Sequence, residues 1–373
     1  MAESPAVSYA PTEEQELIRS TARQFLAERI PLERVRELMM SEDGFDPVLW
    51  KEMSELGWTG LVIGEEHGGA GLTWVELSVL LEEMGRMVTP GPFFAGLMAT
   101  ALIEELGGEE KGDLLEGLAS GETMATLAVF ERPRGWEFDR PETRATLSGR
   151  GWVLDGAKRA VLDAHLADLL LVSASTDDGV GVFSVDTKDG GVTVEQESVL
   201  DPTRRQATVT FQGASSLARL QGGDPIAGLK HVFRLATAAL AAEQVGGAQR
   251  CMEMSVEYAK TRYQFGRPIG SYQSIKHRCA NMLMRVEHAR SAAYHAMRVT
   301  GDRDELAIAA PLAGAVASDA YVWVAGENIQ VHGGIGFTWE HDAHLYLKRA
   351  KSSSLLLGSP RHQRDLLGEA LGI

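Results

Sequence analysis

The sequence predicts an α+β fold of three consecutive domains: an N-terminal helical domain, a small β-barrel or sandwich, and a C-terminal four-helix bundle. Its length of 373 residues is typical of two or three domains. The spacing of the apolar residues changes from a helical to an alternating period and back again. We therefore place the domains at residues 1–121, 122–222 and 223–373.

Helical signals dominate the first domain. Thr12 and Gln15 form a capping-box pattern, which is typical of a helix start. An amphipathic run over residues 75–84 follows a glycine-rich turn at residues 68–71. Apolar residues recur at helical spacing directly after the capping box, at Leu17, Ile18, Phe25 and Leu26.

Short runs rich in Val, Leu and Thr, separated by Gly, Asp and Pro, characterise the middle domain. This spacing of apolar runs and turn residues predicts strands joined by turns in a small antiparallel barrel or sandwich. The predicted strands include residues 145–147, 151–154, 169–172, 180–185, 192–194 and 207–211.

Long apolar-faced helical patterns return after residue 225 and predict an up-down bundle. The predicted helices cover residues 226–259, 274–300, 304–330 and 340–351.

The charge of the chain limits its partners. With 36 Lys and Arg against 52 Asp and Glu, the net charge is −16, which argues against binding to nucleic acid or anionic membranes. The acidic excess lies in residues 1–223, so residues 224–373 are the more permissive place for an anionic ligand. No stretch reaches the ~18 uninterrupted apolar residues of a membrane-spanning helix, and the N-terminus lacks the pattern of a signal peptide, so we expect a cytoplasmic protein without a membrane partner.

Cysteine and histidine do not indicate a metal site. Cys251 and Cys279 are far apart within helical stretches, so a disulfide framework and a Cys-based metal site are both excluded. His332, His341 and His344 fit no known ligand spacing, and a solvated helix face explains them. We predict no metal.

Two motifs in the C-terminal domain point to a known family. Residues 262–269 read Arg-Tyr-Gln-Phe-Gly-Arg-Pro-Ile and are followed by Gln273. Residues 330–337 read Gln-Val-His-Gly-Gly-Ile-Gly-Phe and are followed by Glu340. These motifs, in this order and with this succession of domains, resemble the acyl-CoA dehydrogenase family over nearly the whole chain.

Arg262 lies at a break between two long helices, where its forked donors could hold a diphosphate bidentately. The glycine pair at 333–334 is, from the residues alone, an ordinary helix C-cap. The resemblance implies instead that both motifs bind the diphosphate and adenosine half of FAD, which in this family belongs to a neighbouring subunit. The implied cofactor-binding residues are Arg262, Gln264, Phe265, Gln273, Gln330, Gly333 and Gly334.

The resemblance also implies that Glu340 is the catalytic base that removes the α-proton of an acyl-CoA thioester. Such a base needs partial desolvation, which Phe337 and Trp339 would supply. Favourable interaction with a helix dipole is the alternative explanation for Glu340. A second acid, Glu243, lies in an Ala-rich helix, where a buried ion pair and a substrate-facing role both remain open.

The sequence departs from the family where the flavin ring should bind. Residues 130–137 lack the Thr and Ser hydroxyls that bind the ring in the family, and residues 158–163 have Arg or Ala in place of the Trp that covers it. The usual Glu-Gly-Thr is replaced by Leu-Gly-Ser at residues 357–359. We therefore predict one subunit of an α2β2 acyl-CoA dehydrogenase, which completes the FAD site of a sister subunit. A self-sufficient homotetramer and a cofactor-free structural partner are the alternatives, and the resemblance implies an electron-transfer flavoprotein as acceptor.

Overall fold

A computed structural model describes residues 11–131, 136, 138–149 and 151–373. The predicted N-terminal helical domain is confirmed. Thr12 caps the first helix, and its hydroxyl accepts from the Gln15 amide while the Gln15 side chain accepts from the Thr12 amide, as the capping box predicts. The helices are α1 (Glu13–Arg29), α2 (Leu32–Met40), α3 (Pro47–Glu55), α4 (Trp74–Arg86), α5 (Phe93–Leu106) and α6 (Lys111–Ala119).

The middle domain is a barrel-like sheet. Strand β4 pairs with both β2 and β5, so the order β4-β2-β3-β7-β5 closes on itself, while β1 and β6 pair on the outside of this ring. Its apolar side chains form a core of their own, which includes Leu154, Phe183 and Phe211. The strands are β1 (Ala125–Ala128), β2 (Arg144–Ser148), β3 (Gly151–Leu162), β4 (Leu169–Thr176), β5 (Gly179–Asp186), β6 (Val192–Gln196) and β7 (Gln206–Arg219).

Two pairings differ from the antiparallel arrangement predicted for this domain. Strands β1 and β4 run parallel, with Ala125 opposite Leu169, and β2 meets β4 in parallel at Arg144 and Ser175. The chain passes through β2 and β3 between β1 and β4, and through β3 between β2 and β4, and such long connections permit parallel pairing.

The C-terminal domain is a helical bundle, as predicted, with one additional helix. Its elements are α7 (Pro225–Thr261), the hairpin strands β8 (Tyr263–Gln264) and β9 (Arg267–Pro268), α8 (Gln273–Arg298), α9 (Arg303–His332), α10 (Ala343–Leu356) and α11 (Pro360–Leu371). Helix α11 was not predicted because it is short and mostly polar, and it packs on α9. Helix α9 with its following turn is long and apolar enough to cross a membrane, but it lies against α7, α8, α10 and α11 within the bundle.

Helix α7 also joins the bundle to the N-terminal domain. It crosses α4 so closely that a Cβ atom at Gly246 would lie 1.8 Å from the Glu82 carbonyl oxygen, and one at Gly85 would lie 1.9 Å from the Glu243 carbonyl oxygen. Only glycine permits this approach of the two helix backbones. The crossing places the C-terminal end of α7, with the first family motif, at a defined position.

Candidate cofactor-binding site

The first motif forms an exposed hairpin between α7 and α8. Arg262 follows the last turn of α7, and its backbone carbonyl accepts from the Ile269 amide over 2.8 Å, which closes the hairpin. At the tip Phe265 has a φ of 53° and Gly266 a φ of 77°. A left-handed backbone is costly for phenylalanine and is typical of functional turns. Phe265 is also 92% exposed, so this chain provides no packing that explains its conformation.

The second motif forms the turn that ends α9. Gly333 has φ 65° and ψ −141°, a conformation that only glycine adopts readily. This confirms that a glycine is needed to end the helix, but it does not explain Gly334. A Cβ atom at Gly334 would meet nothing within 4 Å, and its φ is not positive. No steric demand of this chain therefore accounts for the second glycine.

Contacts between α7 and α9 bring the two motifs to the same end of the bundle. The rings of Tyr258 and His332, which precede the two turns, lie 4.4 Å apart between centroids. One turn earlier, the Ser255 hydroxyl donates to the Asn328 side chain over 2.8 Å. An ion pair between Arg278 and Glu327 attaches the start of α8 to the same end.

The predicted cofactor residues at this end are exposed and mostly without partners. Among the described residues, the side chains of Arg262, Gln264, Phe265 and Gln330 have no hydrogen-bonding, ion-pair or ring partner. Gln273 is exposed as well, and its amide lies 3.1 Å from the Nε2 of His277 on the same helix. An exposed guanidinium with free donors, beside backbone that no side chain covers, fits the diphosphate and adenosine half of FAD approaching from outside the chain.

Glu340 does not have the environment predicted for a catalytic base. Its carboxylate is fully exposed in this chain, and Phe337 and Trp339 are exposed rather than packed against it. Backbone and Thr338 hydrogen bonds hold the pKa of Glu340 below its ordinary value. The expected desolvation of Glu340 by Phe337 and Trp339 is therefore not found in this chain, because all three side chains are exposed and Trp339 packs on His344 and Lys348 instead.

A separate cleft, with a volume of about 1000 Å³, lies between the barrel and the helices. Ala160, Phe233 and Leu357 are among its lining residues. Glu197 is the acid among the described lining residues, and it accepts from the Thr208 hydroxyl over 2.5 Å. Leu357 stands where the family has the glutamate of its Glu-Gly-Thr segment, so an apolar side chain replaces a carboxylate there.

Arg159, Ala160 and Leu162 face the cleft at the barrel positions that hold the flavin ring in the family, whereas Lys158 on the same strand is buried and does not line the cleft. Lys158 is fully buried, and its ammonium donates to Glu131 over 2.7 Å and to the Ser173 hydroxyl over 3.2 Å. Burial lowers the pKa of Lys158 to about 8, although Glu131 opposes this shift. The neighbouring Ala160 has a φ of 52° and presents only a methyl group to the cleft. The side chains described at this position do not fit a flavin ring. In the other segment that departs from the family, residues 130–137, residues 132–135 and 137 lie outside the described residues.

Glu243 belongs to a buried ion-pair network, which decides between the two explanations left open for it. Arg349 donates to Glu243 over 2.8 Å and to Asp201 over 2.7 Å, and Arg204 also pairs with Glu243. Burial alone would raise the pKa of Glu243, but Arg204 and Arg349 outweigh it and hold that pKa below its ordinary value. Because Arg349 also donates to the Thr89 carbonyl, the network joins all three domains.

Sequence reasoning missed Arg204, Asp201 and Arg349, since these residues are far apart in the chain. The only signal was Arg349 at a position where the family carries an aspartate. No group of three or more potential metal ligands occurs among the described residues, and His332, His341 and His344 instead form ring contacts and hydrogen bonds around the turn after α9.

Comparison with known proteins identifies the class. The family models for the acyl-CoA dehydrogenase N-terminal, middle and C-terminal domains match residues 12–122, 126–213 and 229–372. The chain belongs to the acyl-CoA dehydrogenase family, whose members oxidise acyl-CoA, and the predicted resemblance and fold are confirmed.

Individual relatives and solved structures are similar to this chain over nearly its whole length. Acyl-CoA dehydrogenase IpdE2 of Mycolicibacterium smegmatis is 35% identical over 353 residues, which cover 94% of this chain and 97% of the relative. The solved structure of a Tcur3481-Tcur3483 steroid ACAD variant is similar with a TM-score of 0.88 and 32% identity, covering 96% of this chain and 98% of that one. The ChsE4-ChsE5 complex of Mycobacterium tuberculosis is similar with a TM-score of 0.89 and 27% identity, covering 98% and 99%.

Proposed function

We propose that this chain is one subunit of an α2β2 acyl-CoA dehydrogenase and completes the FAD site of a sister subunit. One observation carries the proposal: the half-site at the end of the bundle is exposed and largely without partners, while the barrel of the same chain presents Arg159, Ala160 and Leu162 to the cleft at the positions where the family holds the flavin ring. A chain with its own complete site would need both halves. The two-component names of the structural relatives support this reading.

Each residue of the half-site has a role in this proposal. Arg262 holds the diphosphate, because its free guanidinium can donate two parallel hydrogen bonds. Phe265, Gln264 and Gln273 contact the adenosine side from the hairpin and the start of α8. Gln330 adds an amide hydrogen bond, and the backbone at residues 333–334 allows close approach of the cofactor.

The proposed reaction is the α,β-dehydrogenation of an acyl-CoA thioester to a trans-2-enoyl-CoA. Bound FAD supplies the acceptor for the hydride that leaves the β-carbon. In this proposal the sister subunit supplies the base for the α-proton, since Leu357 is apolar and Glu340 is exposed. This chain then binds and orients the cofactor without moving a proton itself.

The substrate class follows from the relatives. We propose a bulky acyl-CoA, such as a steroid side-chain fragment, with a fatty acyl-CoA as the alternative. The relative named as a steroid ACAD supports this choice. An electron-transfer flavoprotein as acceptor and a cytoplasmic location complete the proposal.

The test is the FAD content per chain, measured by absorbance together with native mass. The chain is expressed alone and then with the acyl-CoA dehydrogenase encoded nearest to it. We expect no FAD in the chain alone, and one FAD per pair of unlike chains in the complex. One FAD per chain alone would favour the homotetramer instead, and no FAD in either preparation would favour a cofactor-free structural partner.

A further inference from the structure

Two histidines in ring contact hold the turn that carries the second cofactor motif. The ring centroids of His332 and His341 lie 4.3 Å apart with an interplanar angle of 50°, and this contact joins the end of α9 to a residue two positions before α10. Tyr258 covers the other side of His332 at 4.4 Å. The turn packs tightly on this histidine, since a Cβ atom at Gly336 would lie 2.8 Å from the His332 Cβ.

The hydrogen bonds assign a neutral state to His341. Its Nδ1 accepts from the Ala343 backbone amide over 3.1 Å, so this nitrogen carries no proton. That bond satisfies an amide in the first turn of α10, which would otherwise lack a partner. The Nδ1 of His332 lies 2.8 Å from the Asn328 carbonyl oxygen and donates to it.

The positive groups around the pair oppose protonation of His341, whereas Asp342 favours it. Arg36 of α2 faces His341, and His344 lies on the first turn of α10. Asp342 is the nearby acid, but it already pairs with Arg36 over 2.7 Å. Tyr258 of α7 faces His332 as a neutral ring, and a positive charge at the start of α10 would oppose the helix dipole.

We propose that His332 and His341 are positioning residues that, as a neutral pair in ring contact, hold the turn at residues 333–342 in the conformation that receives FAD. The inference rests on the proposed function for its consequence, since residues 333–334 lie in this turn. Protonation of His341 removes its bond to the Ala343 amide and places a charge beside Arg36. The turn then loosens, and the complex loses FAD.

The direction of the pH dependence follows from burial. Burial lowers the pKa of His332 and of His341 below the ordinary 6.5, and it outweighs the Asn328 carbonyl and the Asp342 carboxylate, which raise the pKa of His332 and of His341 respectively. When the turn unpacks, the His332 and His341 rings bind protons more readily than they do in the packed turn. Packing is therefore fully stable above about pH 6.5 and weakens as the pH falls below that value.

The first experiment uses this chain alone and follows hydrogen exchange of residues 333–343, corrected for intrinsic rates, at pH 7.5 and pH 5.5. We expect the protection factors of the amides in the turn to fall about tenfold at the lower pH. His341→Asn keeps an acceptor for the Ala343 amide but cannot be protonated, so its turn should stay protected. His341→Lys places a permanent positive charge at this position and should lower the protection factors of the turn amides at pH 7.5 already.

The second experiment measures FAD retention by the complex with the sister subunit between pH 8 and pH 5.5. Wild type should release FAD below about pH 6.5, whereas His341→Asn should retain it and His341→Lys should bind it about tenfold more weakly at pH 7.5. His67→Asn, in the N-terminal domain, is the matched control and should behave as wild type. Circular dichroism checks that each variant folds.

The outcomes separate the two proposals. Equal release by wild type and His341→Asn, with unchanged exchange in the turn, overturns the positioning role but leaves the shared FAD site intact. A complex that contains no FAD at any pH overturns the proposed function, while the exchange experiment still tests the histidine pair.

Discussion

Replacing Arg262 with alanine should separate cofactor binding from folding. The Arg262 guanidinium has no hydrogen-bond or ion-pair partner among the described residues, so its loss should change the free energy of unfolding by less than about 0.5 kcal/mol. A hydrogen bond between charged groups contributes about 1.5–3 kcal/mol. If Arg262 holds the diphosphate, its removal should weaken FAD binding by roughly ten- to a hundredfold.

The assay is a titration of FAD into FAD-depleted complex, followed by quenching of flavin fluorescence, beside urea unfolding of the chain alone. Arg262→Lys keeps the charge but not the bidentate geometry and should bind FAD with intermediate affinity. Arg267→Ala is the matched control, because Arg267 belongs to the same hairpin but lies over the Tyr272 ring at 4.0 Å.

Either of two results would refute this reasoning. An FAD affinity within about threefold of wild type would show that Arg262 does not hold the diphosphate. A loss of unfolding free energy as large as the loss of binding would show that Arg262 acts on folding rather than on the cofactor.

Three further changes test other parts of the structure. Gly334→Ala should leave the melting temperature unchanged but reduce FAD occupancy of the complex, whereas Gly336→Ala should lower the melting temperature because its Cβ has only 2.8 Å of space; equal melting temperatures would contradict this contrast. Arg349→Leu should cost about 3–5 kcal/mol in urea unfolding by leaving Glu243 with one guanidinium partner fewer, and a cost under about 1 kcal/mol would show that the network is dispensable. Burial lowers the pKa of Lys158 to about 8, so between that pH and the ordinary 10.5 the unfolded chain binds more protons than the folded chain does. The unfolding free energy of the wild type should therefore rise over this range by roughly 2–3 kcal/mol relative to that of Lys158→Met. Identical pH profiles of the two proteins would disprove this prediction.

Local patterns predicted most of the secondary structure. The capping box at Thr12 depends on residues three positions apart, and the strands of the middle domain are 4 to 14 residues long, so both signals lie within the segment itself. The short polar helix α11 lacks such a signal, since its packing against α9 rather than its own pattern stabilises it. The parallel pairing of β1 with β4 was missed for the same reason, because it joins segments far apart in the chain.

The candidate site likewise has features that the sequence predicted and features that it did not. Residues 262–273 and 330–334 could be found from the sequence because each motif is contiguous and glycine-containing. The environment of Glu340 could not, because burial depends on the packing of the whole turn, and its apolar neighbours Phe337 and Trp339 turned out to be exposed. Predicting burial from adjacent apolar residues failed there.

The sequence by itself determined the family, the order of the domains and the two motifs, because short-range periodicity and contiguous residues encode them. Only the tertiary structure decided that Glu243 pairs with Arg349 and Arg204, which come from different domains. It also decided that the two motifs meet through Tyr258 and His332 at one exposed end of the bundle. Ion pairing and ring contact depend on distances between segments remote in the chain, and such distances exist only once the helices have packed.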